Sequence, residues 1–376
     1  MASLAPEDRT ALIDALGRLL ADRCTEADVR RVMETTDGYD PVLWAQLAEM
    51  GVVGLIVDEA YGGAGAGPVE LELVMEAAGA ALLCSPLLGS GVLAAGLVQA
   101  LDDEDAKTRL LPKIADGSLI AAVAVTGAKG GWTAADVEAH AAPAGEGWLL
   151  NGAAGFVIHA QNAAVLLVVA RTAEGFGVFE VAADAHGLSL SALPTFDHTL
   201  RMANLAFCAT PARRLACDGP AWDKVEQALD LARVALAGDQ AGGAKKVLEL
   251  TVDYAKARIQ FGRQIGSFQA IKHMAANLLL ETESAISAAR HAAQRLADGA
   301  PDAGSAVSLA AFACADAYVT TAADAIQMHG GIAFTWVHPA HLYLRRARSG
   351  AQLFGVSNDY RERYLQQLEA EMGVPA

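Results

Sequence analysis

The sequence predicts a multi-domain α+β fold in three successive parts, and three observations predict it. Apolar residues recur at three- and four-residue spacing up to about Ile120, as on a helix face. Between Ala121 and about Arg214 the period falls to two, and after Asp218 the helical period returns and holds to the end. A chain of 376 residues has room for such a division. The expected domains are an all-α domain over 1–120, an antiparallel β-barrel or sandwich over 121–214, and a helical domain over 218–376, built as a four-helix bundle.

In the first part, Leu12, Leu16, Leu19 and Leu20 set the helical stripe, and Leu43, Trp44 and Leu47 continue it. The glycine-dense loop Val57 to Gly67 is expected to act as a hinge or to face a cofactor. Ala77 to Leu101 carries no charge and is long enough to cross a bilayer. It is Ala-rich, cut at Ser85-Pro86 and at Gly89-Ser90-Gly91, and lacks a flanking basic cluster, so two buried helices are expected.

In the middle part, Val165 to Arg171 and Gly177 to Val181 read as strands, and Asn151-Gly152 is a favoured tight-turn dipeptide. The phosphate-binding GxGxxG pattern is missing, so a doubly wound sheet has no support. In the last part, Lys224 to Ala257, Ser267 to Leu296 and Ser305 to His329 have the lengths of antiparallel bundle helices.

Composition narrows the function. With 53% hydrophobic and 19% charged residues the chain is globular. A net charge of −16 disfavours nucleic acid and anionic membrane surfaces as partners. The five cysteines form no CxxC or Cys/His cluster, so no metal site is expected and they read as buried thiols in a reducing compartment. Cys208 and Cys314, in apolar stretches, read as small hydrophobes. MASLAPEDRT has no basic and apolar signal pattern, which makes the cytoplasm the expected location.

Two segments carry glycine and polar residues that a bundle core does not need. In RIQFGRQIGSFQAIKH, Arg258 to His273, Phe261-Gly262 separates two helices, and Arg258 with backbone donors converges at helix ends, where a pyrophosphate is stabilised. In QMHGGIAFTWVHPAHLYLRRA, Gln327 to Ala347, Gly330-Gly331 ends a helix and lets a ligand approach the backbone.

With these two segments in this order and separation, the sequence resembles the acyl-CoA dehydrogenase family along nearly its whole length. Leu43 to Gly65, Leu150 to Ala160 and Leu229 to Gly238 are similar to further segments of that family. FVIHAQNAAVLLVVAR and LPTFDHTLRMA resemble a divergent actinobacterial-type branch in which two unlike subunits assemble, one supplying the catalytic base. The resemblance implies FAD bound between subunits of a dimer or tetramer, α,β-desaturation of an acyl-CoA thioester, and electron-transfer flavoprotein as electron acceptor. It places the FAD diphosphate against Arg258 and the flavin or its tail near Phe261 and Gln269, with Gln327, Gly330 and Gly331 acting across the interface. Val125 and Thr126 match flavin-contacting positions, and Arg233 matches an arginine beside the acyl-CoA.

The family's chemistry needs a carboxylate to take the α-proton. The two positions that hold that glutamate in the family match Ala232 and Phe354, neither of which accepts a proton. Loss of such a base costs on the order of 10²–10⁴-fold in rate. Trp132 stands where a small hydroxyl residue would meet the FAD phosphates, and Ile158 where a Thr or Ser would face the flavin. These departures imply a dehydrogenase-type subunit without its own base. They leave open a monooxygenase, a desulfinase- or lyase-like enzyme, or a non-catalytic subunit. Asp239 lies seven residues after Ala232, about 10 Å further along the helix. That distance is too long for the same substrate pose, and Asp230, Glu226, His329, His338 and His341 are weaker base candidates, each better read as a helix-end or interface residue. Arg345, Arg346 and Arg348 read as a solvated basic face or as intersubunit salt bridges, and Trp336 and Tyr343 as core or interface aromatics.

Overall fold

The computed structural model describes residues 4–372. Helices come first: α1 (Pro6–Arg23), α2 (Glu26–Met33), α3 (Pro41–Glu49), α4 (Pro68–Ala80), α5 (Ala95–Ala100) and α6 (Glu104–Ala115). The β region follows: β1 (Ala121–Ala124), β2 (His140–Ala144), β3 (Gly147–Ile158), β4 (Val165–Thr172), β5 (Gly175–Ala182), β6 (Leu188–Ala192) and β7 (Met202–Arg214). Then come α7 (Ala221–Ala257), a small hairpin of β8 (Ile259–Gln260) and β9 (Arg263–Gln264), α8 (Gln269–Ala297), α9 (Ala303–His329), α10 (Ala340–Gly350) and α11 (Ser357–Glu371). This is the α, β, α order the hydrophobic periods predict.

Local chemistry explains the helix starts. Pro6 and Pro41 open α1 and α3, where the missing N–H is harmless. The Asp40 carboxylate caps α3 through Val42 N at 2.9 Å, and Asp103 caps α6 through Ala106 N at 2.8 Å. The uncharged run divides after α4 at Ser85-Pro86. Wide π-helical turns over Leu87–Ala94, all eight residues buried, then lead into α5. Gly91 is required there, because a Cβ would lie 2.8 Å from the Val53 carbonyl oxygen.

The strands β2, β3, β7, β5 and β4 pair in a closed ring, which removes the free edges of a small sheet. β6 adds to β7 antiparallel, and β1 lies parallel to β4. Asn151-Gly152 is not the hairpin turn its dipeptide signals. It falls inside β3 at a register shift against β7, with Gly152 at φ +110°, and a Cβ there would meet the Glu138 carbonyl oxygen at 2.5 Å. The β2–β3 turn sits at Gly145 and Glu146 instead.

The chain forms two compact units, and the boundary falls inside α7, between Ala232 and Arg233. The first unit holds residues 32–67 and 84–232. Its core includes Leu47, Ile56, Leu97, Leu111, Leu150, Leu166 and Phe179. Ion pairs tie α6 to the barrel, Arg109 to Glu180 at 2.7 Å and Arg213 to Asp103 at 3.0 Å.

The second unit holds residues 4–31, 68–83 and 233 onward. Its bundle core is built from small residues, among them Ala237, Ala241, Ala289, Ala293, Ala310 and Cys314. α4 crosses α7 backbone to backbone: a Cβ on Gly242 would lie 1.9 Å from the Glu76 carbonyl oxygen, and one on Gly79 1.9 Å from that of Asp239. Arg9 of α1 pairs with the fully buried Glu70 of α4 at 2.7 Å. Among the described residues, Ala303–Phe334 alone is a helical stretch long and apolar enough to cross a membrane, and it is α9, 61% buried over that window, with its 3₁₀ continuation.

Candidate functional site

In the second unit, Phe354 is buried at 1% exposure and has a left-handed φ of +60°. A bulky residue seldom adopts that conformation, and its surroundings hold it there. The Tyr360 hydroxyl donates to the Phe354 carbonyl oxygen at 2.5 Å. Arg233 Nη2 donates to the same oxygen at 3.5 Å, and Arg233 Nε to the Tyr360 hydroxyl at 3.3 Å. The Arg233 guanidinium also lies 5.6 Å from the Tyr360 ring centroid. Gly355, at φ +136°, leaves room for that ring, since a Cβ would meet Tyr360 Cζ at 2.8 Å. Arg233 is thus part of a clamp on Phe354, and the void beside it is only about 10 Å³. In the first unit, Ala232 is fully buried.

Asp239 is buried and paired. Arg346 grips its carboxylate with two donors, Nη2 to Oδ1 at 2.6 Å and Nε to Oδ2 at 3.2 Å, and places Nη1 3.3 Å from the Leu83 carbonyl oxygen. The basic run is therefore only partly a solvated face. Arg346 turns inward to neutralise a buried acid, while Arg345 stacks on Trp336 at 4.7 Å. Tyr343 is buried, as expected of a core aromatic, and Trp336 is exposed.

At another end of this unit, the 258–264 segment forms a two-residue β-hairpin rather than a plain break between helices. Phe261 and Gly262 both have positive φ, +53° and +77°, as a tight primed turn requires. Phe261 is 91% exposed. Arg258 is also exposed, and its guanidinium makes no hydrogen bond or ion pair with any described residue. Gln269 and Gln327 are exposed, and nothing lies within 4 Å of a Cβ built on Gly330 or Gly331. Behind them, His329 stacks on Tyr254 at 4.5 Å and meets His338 at 4.4 Å. Burial holds His329, His338 and His341 below the usual histidine range, so each favours the neutral form.

The first unit carries the remaining predicted residues, Val125 and Thr126, both buried. The Thr126 hydroxyl donates to the Gly155 carbonyl oxygen, and Gly155 N donates to Thr126 O at 3.3 Å. The loop after Thr126 closes on its own acids. Ala128 N donates to Glu138 Oε2 at 3.2 Å, and Thr133 N to Asp136 Oδ2 at 3.0 Å. Trp132 is buried, and Ile158 packs at Gly89, its Cγ2 3.5 Å from where a Cβ would stand. Sequence reasoning missed Tyr360, Asp136 and Glu138. The spacing Thr133-x-x-Asp136 is a capping-box signal that could have found one of them.

Two family models match the chain: "Acyl-CoA dehydrogenase, N-terminal domain" over residues 6–118 and "Acyl-CoA dehydrogenase, C-terminal domain" over 221–368. Acyl-CoA dehydrogenase IpdE2 of Mycobacterium tuberculosis is 33% identical over 98% of this chain and 98% of its own. The chain belongs to the acyl-CoA dehydrogenase family. Among solved structures, a variant of the Tcur3481-Tcur3483 steroid ACAD is 31% identical, covers 98% of this chain and 99% of its own, and has a TM-score of 0.88. The ChsE4-ChsE5 complex from Mycobacterium tuberculosis is 27% identical over the full length of both chains, with a TM-score of 0.90.

Acyl-CoA dehydrogenases are flavoprotein oxidoreductases of lipid metabolism, so both sets of residues can be tested against FAD. The second unit's set fits a diphosphate: an exposed guanidinium with no partner among the described residues and an open Gly-Gly backbone. The first unit's set does not fit the flavin end: the Thr126 hydroxyl and the N–H groups of Ala128 and Thr133 are engaged within the chain.

Proposed function

We propose that this chain is a subunit of a heteromeric, FAD-dependent acyl-CoA dehydrogenase that carries out α,β-desaturation of an acyl-CoA thioester, and that it lacks its own catalytic glutamate. The observation that carries this is Phe354, buried at the family's base position with its carbonyl clamped by Tyr360 and Arg233. The two-component names of the ChsE4-ChsE5 and Tcur3481-Tcur3483 structures support assembly with a related but unlike chain.

In this reading Arg258, Phe261, Gln269, Gln327, Gly330 and Gly331 receive the diphosphate end of a cofactor whose flavin end the partner holds. FAD, when bound, supplies the hydride acceptor. The partner supplies the carboxylate that takes the α-proton, electron-transfer flavoprotein takes the electrons onward, and the cytoplasm is the working compartment. Arg233 holds the closed base position and Val125 and Thr126 support the barrel, so this chain's own half neither binds a thioester nor bleaches a flavin.

The test is the absorption spectrum of the purified chain, alone and co-purified with a related dehydrogenase subunit, followed by anaerobic addition of acyl-CoAs. Flavin retained and bleached only in the mixed complex is the expected result. A lone chain that purifies with stoichiometric flavin and is bleached by acyl-CoA overturns the reading. Phe354→Glu restores a carboxylate to the family position, yet the lone variant is expected to stay inactive because the flavin end still has no bed.

A further inference from the structure

A cavity of about 640 Å³ lies wholly within the second unit, bounded by α1, the start of α2, α4, α7, α8 and the start of α10. That size falls in the range of small-molecule sites, roughly 300–1,000 Å³. None of Arg233, Phe354, Arg258 or the Gly330-Gly331 turn lines it. Its walls are aliphatic, with Leu20, Val29, Leu73, Leu82 and Leu342 prominent. Tyr343 offers them only its ring, because its hydroxyl donates to the Ala80 carbonyl oxygen at 2.8 Å.

Charged side chains also line it, and the balance around Glu76 is uneven. Glu76 faces two cations: Lys245 Nζ lies 3.6 Å from Oε1, and Arg290 Nη2 donates to Oε2 at 3.0 Å. Two positive groups on one carboxylate leave a surplus of positive charge, within a chain whose net charge is −16. At 3.6 Å Lys245 makes an ion pair but no hydrogen bond, and Arg290 engages one of its N–H groups, so donors remain for another anion. The other rim charges are matched, Lys246 with Glu249 at 3.8 Å and Glu26 with Arg30 at 2.8 Å. Nearby Glu76 also sets an upper limit on the charge of a guest, since a dianion would meet its repulsion.

The geometry points to a second ligand site, for an amphipathic carboxylate: an apolar body lying along Leu20, Leu73 and Leu342, and one carboxylate received by Lys245 and Arg290. Burial of the body supplies most of the binding, and the charge surplus selects the acid over the alcohol of the same length. The site is separate from the base position, so occupancy neither needs nor blocks the Phe354 clamp.

Dodecanoate and dodecanol are suitable probes, titrated calorimetrically into the full-length chain in the assembly in which it purifies. Dodecanoate is expected to bind saturably at one site per chain, and dodecanol about tenfold more weakly. Lys245→Glu, a change at an exposed side chain, should weaken dodecanoate about tenfold or more in a variant that circular dichroism shows to be folded, since it reverses the charge facing the head group. Ala77→Trp fills the cavity and should remove binding; circular dichroism and melting verify that it is folded. No saturable binding, equal binding of acid and alcohol, or binding indifferent to both substitutions overturns the proposal.

Discussion

Glu72 of α4 is 1% exposed, facing the alanine core of the bundle, and its Oε1 has no hydrogen-bond partner. Burial, reinforced by Glu76 and opposed by Arg290, pushes its carboxyl up to about 8. A carboxyl raised in the folded state binds a proton that the unfolded chain, with its ordinary value near 4.5, has already lost. Stability from this group is therefore greatest below about pH 4.5 and falls as pH rises toward 8. Glu72→Gln removes the titration, so thermal melting should show the variant level with the parent near pH 5 and several degrees more stable near pH 8.5. Equal pH profiles would mean that the carboxyl finds a partner on ionising. Asp239 differs from Glu72 in having a partner, the Arg346 guanidinium. Asp239→Asn leaves Arg346 buried without its carboxylate and should cost about 3–5 kcal/mol in denaturant unfolding, the cost of breaking a buried pair. None of this was legible in the sequence, where Arg346 reads as one member of an exposed basic run. Which arginine turns inward depends on α10 lying against Asp239, a long-range fact.

At the scale of elements, hydrophobic period was a guide to the long helices and strands, because each buries one face, but it did not reveal the exposed β8–β9 hairpin or the π-helical turns. Turns were harder. Asn151-Gly152 carries the strongest local turn signal in the β region, yet β3 continues through it, because pairing with β7 on both sides outweighs the dipeptide and turns its positive φ into a bulge. Cys208 likewise falls on the outward register of β7 and is exposed, although its neighbourhood is apolar. The candidate site was legible where it is open, as at Arg258 and Gly330-Gly331. It was not legible where the chain closes on itself, as in the Thr126 to Glu138 loop, whose carboxylate partners lie beyond the motif. The α4–α7 crossing offers a test at this scale. Gly242→Ala would place a methyl group 1.9 Å from the Glu76 carbonyl oxygen, which backbone cannot yield cheaply. The two helices must separate, at a cost of about 1–3 kcal/mol or more in urea unfolding. Gly17→Ala, in α1 with nothing within 4 Å of its Cβ, is the control and should be neutral or slightly stabilising.

The whole molecule is acidic, with a net charge of −16, yet two short segments of the second unit expose large apolar side chains: Phe261 at 91%, Phe334 at 84%, Trp336 and Val337. A monomer of this size has little use for such exposure, and Phe261 adds backbone strain to it through φ +53°. A strained, exposed aromatic persists when something covers it, and assembly with a related chain is the cover that the proposed function requires. Phe261→Asp separates interface from fold. Aspartate tolerates the left-handed region better than phenylalanine, so the substitution relieves strain in the lone chain and should leave circular dichroism and melting temperature unchanged or slightly improved. In the assembly the same carboxylate would be buried without a partner, at a cost of several kcal/mol. Size-exclusion chromatography with light scattering should therefore show the variant losing its oligomeric partner while remaining folded. A Phe261→Asp protein that assembles as the parent does would place the interface elsewhere and leave the exposed hairpin to be explained by a ligand alone.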